Sequence, residues 1–212
     1  MKFDQIIFDF DGVILNSHNI KTQAFYKIFK KYGKKIATKS KNYHTKNAGI
    51  SRYVKFKYIL KYFVKKKINN KEIKSLSLEF KKICLEKIIK LKISKKLLRF
   101  LKTKYKNHSF FISTGTPQKE IENILKLKKI HKYFEKVYGS PLTKVQHINK
   151  IKKKSLRTLY IGDSYEDYIS SKKTNIEFLL KVHSENEKEF RKKKIKKIKN
   201  FNSLEKKINL YY

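Results

Sequence analysis

The sequence predicts an α/β protein, a doubly wound parallel sheet with an α-helical insertion after its first strand. Short apolar runs end at Gly12, Gly115, Gly139 and Gly162, in a chain with only 6 glycines and 2 prolines. From residue 94 onward these runs alternate with segments of helical period, whereas residues 16–92 are helical in period throughout. Scarce turn residues gathered at strand exits imply loops along one edge of a sheet.

The first strand is the nearly continuous apolar run Ile6, Ile7, Phe8, the pattern of a buried central strand. It runs straight into Asp9, Phe10, Asp11 and Gly12. Strand side chains alternate, so Asp9 and Asp11 face the same way. Two acids at the exit of a buried strand cost desolvation energy, which points to a cation or a reaction that needs them. Ile20, Ala24, Phe25, Ile28, Phe29 and Tyr32 then mark a helix over 16–32, with Gly33 as its C-terminal cap. Residues 34–47 are polar and basic and read as a loop. Ser51 is placed to cap a helix carrying Tyr53, Phe56, Leu60 and Phe63, and a further helix runs from the Asn69-Asn70 break to residue 91. The expected division is a core of residues 1–15 and 93–212 around a helical unit of 16–92. In the second part, helices near 97–101, 117–127, 144–151 and 165–172 alternate with strands at 109–113, 137–138, 158–161 and 177–182. Ile195 and Ile198 suggest an edge strand, followed by a short helix from Ser203.

At 212 residues the chain suits one core domain plus an insertion, and its 40 % apolar content is that of a globular protein. It has no apolar run of about 18 residues, so no membrane helix is expected. Asp9 and Asp11 interrupt the N-terminal apolar run, so no signal peptide is expected there. The single cysteine, Cys84, falls on a helical stripe with Phe80, Ile83 and Ile88 and reads as core, in a reducing, cytoplasmic setting. The net charge of +38 invites a polyanion partner. Yet only four of the 55 basic residues are arginine (Arg52, Arg99, Arg157, Arg191), leaving 51 lysines. Nucleic-acid readers lean on arginine for bidentate contacts, and no nucleic-acid-binding motif is present. The charge is therefore read as solvated faces, with non-catalytic nucleic-acid binding as the competing reading.

Three more strand exits carry polar groups. Phe110-Phe111-Ile112-Ser113-Thr114-Gly115 sets a hydroxyl residue, Thr114 or in the other register Ser113, where a strand meets a helix start. Lys144 follows the turn Gly139-Ser140-Pro141, and Ile161-Gly162-Asp163 leads, four residues on, to Asp167. Read singly, Thr114 and Asp163 serve equally as helix caps and Lys144 as a surface charge.

Taken together, the four pieces resemble the haloacid dehalogenase-like phosphohydrolases. Asp-x-Asp-Gly at 9–12, the hydroxyl at 114, the lysine at 144 and Gly-Asp-x-x-x-Asp at 162–167 stand in the family's order across essentially the whole chain. The resemblance implies a Rossmann-like core, a helical cap, and phosphoryl transfer through an aspartyl phosphate. It casts Asp9 as nucleophile, Asp11 as general acid and then base, Thr114 as hydrogen-bond donor to the phosphoryl group, and Lys144 as the neutralising cation. Mg²⁺ would be held by Asp9, the backbone carbonyl of Asp11 and Asp163, with Asp167 supporting the site. Gly12 and Gly115 would border the substrate. Gly49-Ile50-Ser51-Arg52 is similar to the cap segment of β-phosphoglucomutase-like members, which implies substrate contacts from Ser51, Arg52 and, one helical turn on, Lys55. His18 and His44 are weaker candidates for the same wall. Many relatives carry an aspartate where this chain has Asn16, which leaves the choice of substrate open. The implied partner is a small phosphorylated metabolite, the implied enzyme a phosphoglycolate phosphatase-like phosphatase or a phosphotransferase, and the assembly a monomer or homodimer.

Overall fold

The computed structural model describes residues 3–202 and 204–209. In chain order, β1 (Gln5–Phe8) leads into α1 (His18–Phe29), α2 (Lys34–Lys46), α3 (Arg52–Ile59) and α4 (Asn70–Lys90). Then follow α5 (Lys95–Lys104), β2 (Ser109–Pro117), α6 (Gln118–Leu127), β3 (Lys136–Ser140), α7 (Lys144–Ile151) and β4 (Thr158–Gly162). The chain continues through α8 (Tyr165–Lys173), β5 (Glu177–Lys181), α9 (Glu187–Phe190), β6 (Lys197–Ile198) and α10 (Leu204–Asn209). The sheet order is β3-β2-β1-β4-β5-β6, with every pairing parallel. β1 is therefore central, between β2 and β4, where the direction of winding reverses. In such sheets ligands sit at the carboxyl ends of the strands beside that reversal.

Alternation along β1 fixes both faces. Ile6 and Phe8 pack into one apolar cluster and Ile7 into the other, and all three are fully buried. The Ile7 face is covered by Ile148 and Ile151 of α7, with Tyr160 and Phe178 from the neighbouring strands. The opposite face takes Leu97 and Leu101 of α5, Ile121 and Leu125 of α6, and Leu204 and Ile208 of α10. Burying each such side chain contributes roughly 1.5–3 kcal/mol. A charged residue at Ile7 would break the layer. The helices of 18–90 join the same cluster through a ring group in which Phe25 packs against Phe56 and Phe80, with centroids 5.3 and 5.2 Å away. Among the described residues no helix is long and apolar enough to cross a membrane.

Several elements differ from the sequence reading. Residues 34–46 form a helix, not a loop. Its buried positions, Ala37, Ser40 and His44, recur at helical spacing, but two of them are polar and hid the period. The first helix stops at Phe29, a single 3₁₀ turn spans 30–32, and Gly33 turns the chain at φ 99°. Ser51 stands at the N-cap of α3, but its side chain makes no capping hydrogen bond. β2 extends four residues beyond Ser113, with an irregularity between Ser113 and Pro117. Ile195 packs on the apolar cluster without joining the sheet, so the edge strand is only Lys197–Ile198. Ser203, read as the start of the last helix, lies outside the described residues; α10 begins at Leu204.

Candidate active site

The exits of β1 and β4 bring Asp9, Asp163 and Asp167 together. One carboxylate oxygen from each lies within 4.8 Å of the others, and all three residues are buried. Lys144, the first residue of α7, reaches into the group. Its ammonium lies 2.9 Å from Asp9 Oδ2 and donates to Asp167 Oδ1. Burial works against the Lys144 charge, but the Asp167 and Asp9 carboxylates outweigh it and hold the ammonium well above its ordinary pKa. Asp9 goes the other way: burial first, then repulsion from Asp167, push its carboxyl well above the usual range. Lys144 offsets only part of this, and a further cation beside Asp9 would favour its charged form.

Asp167 is fixed from its own helix. Its Oδ2 accepts from the backbone N–H groups of Asp163 (3.2 Å) and Ser164 (3.0 Å) and from Ser164 Oγ (2.6 Å). The contact from the Ser164 N–H, with the Asp167 N–H donating to Ser164 Oγ at 3.3 Å, forms a capping box that starts α8. Asp163 Oδ2 takes two imidazoles, His18 Nε2 at 2.5 Å and His183 Nε2 at 2.9 Å. The His183 ring accepts the Glu185 backbone N–H at Nδ1 (3.2 Å), so its proton is on Nε2, directed at Asp163. Burial would raise the Asp163 pKa, but His18 and His183 lower it below the usual carboxylate range. Its other oxygen, Oδ1, is buried with no hydrogen-bond partner. Gly12 makes room for this arrangement: at φ +81°, a Cβ there would collide with His18 Nε2 and Asp163 Oδ2.

The Asp11 carboxylate is held separately from the cluster. Ser17 Oγ donates to Oδ1 at 2.5 Å, and Lys21 Nζ and Thr116 Oγ1 (3.1 Å) donate to Oδ2. Burial opposes ionisation, yet the Lys21 ammonium holds the carboxyl below its ordinary pKa. Thr114 is buried and its Oγ1 accepts from the Thr116 N–H at 3.2 Å. Of these two threonines it is Thr116 that lines the adjoining cavity.

That cavity, of about 50 Å³, has Asp9, Asp11, His18, Lys21, Gly115 and Thr116 on the sheet side. The far wall is Phe25, His44, Arg52, Lys55 and Phe80, with Ala48, Gly49 and Ile50 along the rim. The rim crosses β2 closely, since a Cβ on Gly115 would lie 2.6 Å from the Gly49 carbonyl oxygen. Arg52 is engaged already: Nη2 donates to Glu120 Oε1 at 2.6 Å and Nη1 to the Ser77 carbonyl at 3.3 Å. Ser51 Oγ is buried without a partner, outside this lining.

The sequence reading therefore brings Asp9, Lys144, Asp163 and Asp167 into one group, and Asp11, Gly12, Gly115, Arg52 and Lys55 around the cavity beside it. It did not single out Lys21, Thr116, Glu120 or His183. A signal existed for the first: His18, Lys21 and Phe25 follow at helical spacing and all face the cavity. Nothing in the local sequence marks His183, which follows β5 and meets Asp163 only in the fold.

The family model described as haloacid dehalogenase-like hydrolase matches residues 6–181. No curated protein sequence matches the chain. Among solved structures, the β-phosphoglucomutase of Clostridium difficile shares 21 % identity at a TM-score of 0.75, covering 98 % of this chain and 97 % of that one. A predicted phosphoglycolate phosphatase from Haemophilus somnus shares 16 % at a TM-score of 0.71, covering 97 % and 98 %. A magnesium-bound Bacillus subtilis protein described as a HAD-hydrolase, YfnB, shares 14 % at a TM-score of 0.65, covering 99 % and 100 %. These likenesses are of fold, while the family match spans most of the chain and both acidic strand exits. The chain belongs to the haloacid dehalogenase-like hydrolases.

Proposed function

We propose that the protein is a Mg²⁺-dependent phosphatase that hydrolyses a small phosphomonoester through a phosphoryl group carried on Asp9. The observation that carries this is the convergence of Asp9, Asp163 and Asp167 beside the buried, unpartnered Asp163 Oδ1. A buried carboxylate oxygen without a donor costs free energy unless a cation meets it. The donor set is all hard oxygen, which suits Mg²⁺, and Asp9, Asp163, Asp167 and the Asp11 carbonyl are the groups that would hold it. When bound, the ion supplies positive charge that offsets the repulsion between the Asp9 carboxylate and the phosphate.

The remaining steps belong to the chain. Asp9 Oδ attacks phosphorus in line and the ester oxygen departs. Asp11, a carboxylate in the empty site, takes up a proton as the substrate enters and gives it to that oxygen, then as carboxylate takes one from the water that opens the aspartyl phosphate. Lys21, Ser17 and Thr116 hold it in the ionised form that acts as base. Lys144 stabilises the charge on the phosphoryl oxygens. Thr114 is the proposed hydroxyl donor to the same group, with Thr116 beside it. The helices of 16–92 act as a cap over a core formed by the rest, excluding water and polymeric substrates. The β-phosphoglucomutase likeness keeps a phosphotransferase in view, which isomer formation without free phosphate would reveal. The free, buried Cys84 supports a reducing, cytoplasmic setting.

A panel of small phosphomonoesters assayed with and without Mg²⁺ tests the proposal. Phosphate release that needs Mg²⁺ and disappears in Asp9→Asn, with the variant still folded by circular dichroism, is the expected result. Turnover in Asp9→Asn with deamidation excluded by mass spectrometry would overturn the nucleophile assignment.

A further inference from the structure

Asp163 leaves Oδ1 without a hydrogen-bond partner and gives Oδ2 to two imidazoles. His18 opens α1 and His183 follows β5, and both direct Nε2 at Oδ2, from 2.5 and 2.9 Å. One donor atom from each of the three residues lies within 4.8 Å of the others. The two rings lie side by side, with centroids 4.4 Å apart. The His18 and His183 side chains are 12 % and 17 % exposed, so the group is shielded from bulk water yet within reach of it. The chain has only 6 histidines, and two of them meet on this one oxygen. A single imidazole is enough to orient a carboxylate oxygen; two bring a pair of nitrogen donors to one point.

We propose that His18 Nε2, His183 Nε2 and Asp163 Oδ2 form a second ion site, which takes a borderline divalent cation of the Zn²⁺ or Co²⁺ kind. The site goes beyond the phosphatase reading and does not rest on it. Two imidazoles and one carboxylate are the ligands of that class of ion, whereas Mg²⁺ favours oxygen and keeps several waters. Asp163 then serves two ions, with Oδ1 left for the all-oxygen group that it forms with Asp9 and Asp167. Positive charge is favoured at this point: the carboxylates of Asp163, Asp11 and Glu185 all act in that sense on His18, in a chain whose net charge is +38. The ion takes the place of the His183 Nε2 proton. A proton on Nδ1 instead gives up the 3.2 Å contact from the Glu185 N–H. Glu185 lies in an exposed turn, where water can accept from that N–H in its stead.

The test is Zn²⁺ titration by calorimetry with Mg²⁺ saturating, on the wild type and three variants checked for fold by circular dichroism. The wild type is expected to show a Zn²⁺ binding event that remains in Asp9→Asn. His18→Gln and His183→Gln should each weaken that event by more than about 100-fold, beyond the roughly 10- to 100-fold that a merely supporting contact costs. X-ray absorption on the wild type, loaded with one equivalent of Zn²⁺ under the same Mg²⁺, needs no variant and should show two imidazoles in the first coordination shell. The absence of any Zn²⁺ event, an event lost in Asp9→Asn, one that survives either histidine substitution, or a shell of oxygen alone would overturn the site and leave the imidazoles as supports for Asp163. All of these readouts are of binding, so a chain that releases phosphate from no ester could still pass them, and a working phosphatase could still fail them.

Discussion

The two walls of the cavity are built by opposite means. On the sheet side, acids sit at the ends of adjacent strands, and almost every polar atom already has its partner: Asp167 in its capping box, Asp163 Oδ2 between two imidazoles, Asp11 among Lys21, Ser17 and Thr116. On the helical side the groups are basic or aromatic, come from four separate helices, and leave the Lys55 amine facing only an imidazole and a ring. The first wall is pre-organised around a fixed chemistry, with one carboxylate oxygen held in reserve. The second pairs Arg52 with Glu120 but leaves the Lys55 ammonium without a counter-charge. Each wall can be disturbed separately.

The largest effect is expected on the sheet side. Lys144→Met leaves Asp9 and Asp167 buried and facing each other without their shared cation. Breaking a buried pair in this way costs about 3–5 kcal/mol, and loss of the charge facing the phosphoryl group should lower kcat by about 10²–10³. Urea unfolding and steady-state kinetics measure the two. A variant as stable and active as the wild type would mean that the sheet-side wall is not pre-organised by this lysine.

A smaller loss is expected from the groups that orient Asp163. His183→Asn leaves Asp163 Oδ2 with His18 as its one imidazole, and the loss of such a supporting contact typically costs roughly 10- to 100-fold in metal affinity. Mg²⁺ titration by calorimetry reads this without reference to turnover. An unchanged affinity would show that His18 orients Asp163 without His183.

The helical side is expected to respond through pH. In the unfolded chain Lys55 keeps its proton up to about its ordinary value, 10.5, whereas in the fold it releases it near 7. Between these values the unfolded state binds more protons, so stability rises with pH, by roughly 1.4 kcal/mol per unit from this one group. Below about pH 7 the penalty is complete and flat. Lys55→Met should therefore be the more stable protein at neutral pH, with its advantage shrinking toward pH 10. Parallel denaturation curves for the two proteins across that window would contradict the buried, unpaired amine.

The same contrast explains what the sequence could tell. Strand exits are local: a short apolar run, a glycine and an acid are contiguous, so Asp9, Asp11, Asp163 and Asp167 were legible without coordinates. The parallel sheet followed from the alternation of periods, whereas its strand order was not read from the sequence. The helical wall is non-local. His44 was named only as a weaker candidate, in a segment read as loop, because α2 buries a serine and a histidine where a helix usually buries apolar residues. Arg52 was visible as a rare arginine, but its engagement by Glu120 depends on α3 meeting α6, which no pattern in either segment encodes. His183 is similar, since its partner Asp163 is 20 residues away across β5.

The account rests on Asp9 carrying the phosphoryl group, and trapping it is the most direct measurement. Acid quenching during turnover of a phosphomonoester with Mg²⁺, followed by peptide mass spectrometry, should find one added phosphoryl group on the peptide containing Asp9, absent from Asp9→Asn. Turnover with no phosphorylated Asp9, or with the phosphoryl group on any other residue, would contradict it.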